Sequence, residues 1–130
     1  MPVRRTVVVE DDAPTRELLV ELLAEEGYEV RSAADGLEGL ELLTAWRPDV
    51  VLLDVVMPRA DAAAFRAAQS GMPALRDVPI VLLSASRADE LVELAQRLGA
   101  AAALVKPFDL YELLAVVQQV LDRAIAPSEF

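Results

Sequence analysis

Val50-Val51-Leu52-Leu53-Asp54 is an unbroken apolar run closed by a carboxylate. A run that does not alternate polar with apolar reads as a strand covered on both faces, the situation of a parallel sheet. Three other runs end the same way, in polar residues. Val7-Val8-Val9 leads into Glu10-Asp11-Asp12, Ile80-Val81-Leu82-Leu83 into Ser84, and Leu104-Val105 into Lys106-Pro107. If these strands lie parallel and side by side, their acids, hydroxyl and lysine meet at one edge of the sheet.

The intervening segments carry helix signals. Asp12 or Thr15 can cap the helix after the first strand (6–9), with Pro14 in its first turn. That helix has an apolar stripe of Leu18, Leu19, Leu22 and Leu23, and Gly27 stops it. A second strand at 29–33 leads to a helix opened by Asp35 or Gly36, bearing Leu37, Leu40, Leu42 and Leu43 and closed before Pro48. The third strand is expected at 49–53 and an Ala-rich helix at 61–69. Strand four is expected at 78–83 and a helix at 87–98, ended by Gly99, with Leu91, Leu94, Ala95 and Leu98 inward. A fifth strand, 102–105, precedes a last helix from Asp109 to about Ala124. Its core positions are Leu110, Leu113, Leu114, Val117 and Leu121.

Five strand–helix units predict an α/β fold, a single-domain doubly wound (βα)5 sandwich with right-handed crossovers. Five strands favour the flavodoxin-like order 2-1-3-4-5. Strands 1, 3, 4 and 5 are then adjacent, and the order reverses between strands 1 and 3, where ligands bind beyond the carboxyl ends. Glu10, Asp11 and Asp54 fall at that point. The chain of 130 residues reads as one domain, with a core at about 4–124 and a tail at 125–130.

Composition narrows the function. A formal net charge of −10 disfavours direct nucleic-acid binding and anionic membrane surfaces. Cysteine and histidine are absent, which removes disulfides, thiolate metal sites, the usual zinc ligand and the commonest general base. A cytoplasmic setting fits the lack of cysteine. Basic residues are 11 Arg and a single lysine, Lys106, so a lysine at that strand end stands out.

The strand-end residues suit metal-assisted phosphoryl transfer. Crowded carboxylates raise one another's pKa values, and a hard divalent cation, Mg²⁺ or Mn²⁺, relieves the repulsion. Asp11 and Asp54 would be direct ligands, Glu10 one through water, and the backbone carbonyl of Val56 a further oxygen. Asp54 is the candidate nucleophile. The metal would take one phosphoryl oxygen and Lys106 a second, with Ser84 and the Ala85 amide on a third. Pro107 would fix the backbone after Lys106, with a cis bond as one option. Asp12 reads as a cap rather than a ligand. Trp46 and Tyr28 read as packing residues.

Four motifs in order, Val-Val-Val-Glu10-Asp11-Asp12, Leu-Leu-Asp54-Val-Val-Met57-Pro58, Leu-Leu-Ser84-Ala85 and Val-Lys106-Pro107-Phe108, resemble the receiver domain of bacterial two-component response regulators over about residues 4–124. The resemblance implies Asp54 as phosphoacceptor, Glu10 and Asp11 as a metal pair, Ser84 as switch hydroxyl and Lys106 as phosphate-binding lysine. It implies a histidine kinase or histidine phosphotransfer protein as donor. An effector domain, a partner protein or a second copy would meet the face built from helix four, strand five and helix five.

Two positions depart from that pattern. Ala62 stands where the family usually has glycine, so a loop needing positive φ there would be strained. Ala103 replaces the aromatic whose rotamer usually reports phosphorylation. These departures keep open a second class, a pseudo-receiver that binds partners without being phosphorylated. A hydrolase of the haloacid-dehalogenase type would need an aspartate where Val56 stands, and no Gly-rich phosphate loop follows the first strand. Val56 and Ser86 would flank the phosphoryl group, and neither holds an attacking water well, which predicts slow self-dephosphorylation.

Overall fold

The computed structural model describes residues 3–56 and 59–125. Five parallel strands, β1 (Arg5–Val9), β2 (Glu29–Ala33), β3 (Val50–Asp54), β4 (Ile80–Ser84) and β5 (Ala102–Val105), form one sheet. Their order is β2-β1-β3-β4-β5, as expected. The register sets Val9 beside Leu53, Asp54 beside Leu83, and Ser84 beside Val105. The carboxyl ends of four strands are therefore level. β4 starts two residues later than expected. Val78 N–H is used in a turn to Leu75 C=O, and Pro79 has no N–H to give the ladder.

The helices are α1 (Ala13–Glu25), α2 (Gly36–Ala45), α3 (Ala62–Ser70), α4 (Ala88–Leu98) and α5 (Leu110–Ile125). Local chemistry starts most of them. The carboxylates of Asp12, Asp35 and Asp61 accept from the amides of Thr15, Glu38 and Ala64. Asp109 accepts from the amides of Tyr111 and Glu112 at the start of α5. α4 lacks such a bond, since its N-cap is Arg87. Gly27, at φ 96°, turns the chain after α1 through a backbone that side chains avoid.

Side-chain alternation along the strands divides the core into two layers. Val7, Val9, Val51, Leu53 and Leu82 pack with Leu43, Phe65 and Leu91 beneath α2, α3 and α4. Val8, Leu52 and Leu83 pack with Leu19, Leu23, Leu113 and Val117 beneath α1 and α5. Each fully buried leucine contributes roughly 2 kcal/mol of transfer free energy.

One expected core position is corrected. Leu18 is exposed, because Leu19 and Leu23 already form the i, i+4 line facing the sheet and Leu18 lies about 100° off it. In α2 Leu37 is exposed and Leu43 buried. Trp46 is buried at the end of α2 between two guanidinium groups, Arg5 at 4.9 Å and Arg31 at 4.5 Å from the ring centre. Tyr28 is part-buried. Val92 of α4 and Tyr111 of α5 are exposed, and Ala102 and Ala103 of β5 are half-buried. No helix among the described residues is long and apolar enough to cross a membrane.

Candidate functional site

β1 delivers Glu10 and Asp11, β3 delivers Asp54, β4 ends in Ser84, and Lys106 follows β5. Carboxylate oxygens of Glu10, Asp11 and Asp54 all lie within 4.8 Å of one another. Asp54 is buried, Glu10 is fully buried and Asp11 is exposed. The residues expected to converge on the acids thus come from four separate strand ends.

Glu10 is held more tightly than a loose outer ligand would be. Its Oε1 accepts from Lys106 Nζ at 2.6 Å, its Oε2 accepts from the Asp12 amide at 3.1 Å, and Arg16 donates to its carbonyl at 2.8 Å. Lys106 Nζ lies 3.6 Å from Asp54 Oδ1, an ion-pair distance too long for a hydrogen bond. The lysine is therefore bonded to Glu10 and only attracted by Asp54.

Electrostatics follow from this packing. Burial pushes the Asp54 carboxyl up from 3.8 to about 7, and the negative charge of Glu10 adds to the rise, with Lys106 opposing it. Burial alone would lower the Lys106 pKa. Its hydrogen bond to Glu10 and the charge of Asp54 outweigh that and raise it, so the ammonium stays charged.

Ser84 is buried, and its hydroxyl is already engaged. Ser84 Oγ and Ser86 Oγ share a hydrogen bond of 2.7 Å, and the Ser86 amide donates to Ser84 Oγ at 3.0 Å. Ala85 and Val56 are exposed beside the site. Lys106 N–H donates to Ser84 C=O at 2.7 Å, tying β5 to the end of β4, and the Lys106-Pro107 bond is cis. Asp12 acts as a helix cap, as its position implied, and its bonds to Thr15 hold its carboxyl below the usual range.

The loop after β3 differs from the expectation at Ala62. That residue is buried at the first position of α3, and the left-handed residue is Arg59, at φ 69°. Met57 and Pro58, which carry part of one motif, lie outside the described residues, as does the tail at 126–130.

Sequence reasoning missed two partners. The Arg59 guanidinium grips Asp35, with Nε at 2.9 Å and a second nitrogen at 2.7 Å, a pairing no local pattern indicates. Ser86 is the partner of Ser84 as well as a flank of the site. The isolated lysine was a signal for Lys106. No local pattern indicated its bond to a residue 96 positions away.

The donor set suits a hard cation. All candidate ligands are oxygens and the acids crowd together; burial chiefly raises the Asp54 pKa, and the charge of Glu10 adds a repulsion that a divalent ion would relieve. Mg²⁺ or Mn²⁺ fits this set, and the absence of histidine and cysteine disfavours zinc.

Comparison with known proteins agrees with this geometry. Residues 6–118 match the model of the response regulator receiver domain. The transcriptional regulatory protein PdtaR of Mycobacterium tuberculosis is 43% identical over 121 residues, covering 92% of this chain and 58% of that protein. The response regulator MprA of Mycobacterium sp. (strain KMS) is 42% identical over 131 residues, covering 99% and 54%. The chain thus spans a little more than half the length of these relatives. Among solved structures, the Vibrio cholerae chemotaxis response regulator CheY4 is similar at a TM-score of 0.85 and 32% identity, covering 92% of this chain and 99% of that one. Receiver domains generally bind Mg²⁺ at an acidic pocket, and this chain has an acidic cluster of Glu10, Asp11 and Asp54. By sequence match, strand order and acidic strand ends together, this chain belongs to the family of response regulator receiver domains of two-component systems.

Proposed function

We propose that this chain is a phosphorylation-dependent switch that accepts a phosphoryl group on Asp54 from a histidine kinase or histidine phosphotransfer protein. The single observation that carries the reading is the meeting of Glu10, Asp11 and Asp54 within 4.8 Å, with the Lys106 ammonium between Glu10 and Asp54. A carboxylate oxygen of Asp54 attacks phosphorus in line, the bond from phosphorus to the donor histidine nitrogen breaks, and an acyl phosphate remains. A bound Mg²⁺ or Mn²⁺ would supply charge neutralisation for the transferring group, held by Asp11, Asp54 and the Val56 carbonyl, with Glu10 acting through water. Lys106 exchanges its bond to Glu10 for one to a phosphoryl oxygen. Ser84 and the Ala85 amide take another oxygen, which draws the Ser84 hydroxyl from Ser86. Thr15, Leu18, Pro107, Phe108 and Leu110 line an apolar groove beside Lys106, which offers a donor protein a surface against which to align.

Residues 4–124 form one receiver unit in this reading, acting in the cytoplasm. The output passes to an effector domain, a partner or a second copy through the α4-β5-α5 face; Val92 of α4 and Tyr111 of α5 are exposed. Ala103 supports a second reading, a pseudo-receiver that binds partners without phosphorylation. One experiment separates the two. The protein is incubated with Mg²⁺ and a small phosphodonor and examined for a base-labile mass gain that Asp54→Asn abolishes. A wild-type chain that binds the metal and gains no mass would favour the pseudo-receiver.

A further inference from the structure

Ser84 ends β4 and is buried, one residue past Leu83, the register partner of Asp54. Its backbone is fixed, because its C=O accepts from the Lys106 amide at 2.7 Å. Its hydroxyl is held by one residue alone among those described. The Ser86 amide donates to Ser84 Oγ at 3.0 Å, and the two hydroxyl oxygens lie 2.7 Å apart. Neither contact is to an acid of the site.

Burial gives the second bond its direction. A buried hydroxyl proton needs an acceptor. Ser84 is 2% exposed, so water is shut out, and Ser86 Oγ is the acceptor within reach among the described residues. Ser86 is half-buried, and its own proton can go to solvent. Ser84 Oγ also accepts from the Ser86 amide, and a hydroxyl that accepts donates more strongly. The Ser84 proton therefore rests on Ser86 Oγ.

We infer that Ser86 is a positioning residue for the phosphorylation step, a latch that holds the Ser84 hydroxyl in its resting orientation. The inference rests on the switch reading above, in which Ser84 bonds a phosphoryl oxygen on Asp54. A hydroxyl has one proton to donate, so Ser84 serves Ser86 or the phosphoryl group and not both. The proton stays on Ser84 throughout; only its acceptor changes. The half-exposed Ser86 hydroxyl then turns to water, so its bond to Ser84 stabilises the resting state and opposes the transfer. Release is felt next to α4. Ser86 lies two residues before Ala88, and Arg87, the N-cap between them, makes no side-chain bond to the helix.

The test is the rate at which the chain takes a phosphoryl group from a small phosphodonor at saturating Mg²⁺, followed by intact mass. Ser86→Ala keeps the amide bond to Ser84 and removes the acceptor. It is expected to be phosphorylated about fivefold faster than wild type, the scale of one neutral hydrogen bond. Ser86→Thr keeps a hydroxyl and is expected near the wild-type rate. Ser84→Ala has no hydroxyl to hold, so adding Ser86→Ala to it is expected to change the rate by no more than about twofold. Circular dichroism and thermal melting check that each variant is folded. If Ser86→Ala is not, Ser86→Cys, whose thiol is a weak hydrogen-bond partner, takes its place with the same expectation. Equal or slower phosphorylation of folded Ser86→Ala protein would overturn the inference, as would the same acceleration in the Ser84→Ala background. An effect confined to phosphate release would leave Ser86 a flank of the acyl phosphate and overturn the latch too. A wild-type chain that takes no phosphoryl group would overturn the switch reading itself, and the latch with it.

Discussion

Replacing Asp54 with asparagine removes one charge from a crowded site, and the stability of the metal-free protein should rise. The Asp54 carboxyl moves from 3.8 in the unfolded chain to about 7 in the folded one, chiefly through burial and then through the charge of Glu10. The folded state therefore holds this proton more tightly than the unfolded state. The sign is opposite to that of a salt-bridged aspartate. Ionised Asp54 costs stability, the full cost is present above about pH 7, and it fades as pH falls through 7 toward 4. Three pH units correspond to about 4 kcal/mol. Solvent screening at this open strand edge reduces the expected cost to about 2 kcal/mol at pH 8. The asparagine does not strand the lysine, because Lys106 is bonded to Glu10 at 2.6 Å and lies 3.6 Å from Asp54. Urea unfolding in a chelator, followed by the fluorescence of Trp46, the sole tryptophan, measures the difference. Trp46 lies between Arg5 and Arg31, and unfolding breaks that arrangement. Fluorescence also permits dilute protein, which matters near the isoelectric point of about 4.4. Asp54→Asn should be more stable than wild type at pH 8, by a margin that closes toward pH 4. Equal stability at pH 8, or a margin independent of pH, would refute the account of the site's electrostatics.

Other expectations rest on separate features. Lys106→Met leaves the buried Glu10 carboxylate without its cation and should cost about 3 kcal/mol. Adding Glu10→Gln should recover most of that loss, and urea curves showing purely additive losses would contradict the pairing. The Thr6 hydroxyl is buried with no hydrogen-bond partner among the described residues, so Thr6→Val should raise stability by about 1 kcal/mol in a thermal or urea melt. Phosphorylated protein should release phosphate slowly, since Val56 and Ser86 flank the acceptor and neither holds a water well; loss within seconds would contradict this. Crystal structures with and without a phosphoryl mimic should differ at Ser84 and residues 87–90 and leave Ala103 in place, and the absence of any shift there would exclude that route.

Much of the fold was legible because its determinants are short-range. The continuous run at 50–53 identified a strand covered on both faces, and Asp12 and Asp35 marked helix starts through bonds to amides three residues on. The Leu18 expectation failed for an instructive reason. Four leucines at i, i+1, i+4 and i+5 span a wide stripe, and the width of the sheet beneath decides which pair is covered. Strand four starts later than the apolar pattern implies because that pattern does not register that Pro79 has no N–H to donate, although its C=O accepts from Val51 of β3. Strain at Ala62 is expected only if the residue sits in the loop as the family resemblance implies. In the folded chain it opens α3, and the left-handed turn falls on Arg59.

The sequence by itself determined which residues could take part in the site. Acids, a serine and the lone lysine each end an apolar run, and parallel strands joined by helices align such ends on one edge. Tertiary structure alone decided how they are bonded. Lys106 rests on Glu10 rather than Asp54, the Ser84 hydroxyl is engaged by Ser86, and Arg59 reaches Asp35 across two loops. These outcomes depend on angstrom-scale distances between residues far apart in the chain and on the water excluded around them. Burial of the kind that carries the Asp54 carboxyl to about 7 belongs to the packed molecule and to no segment of it.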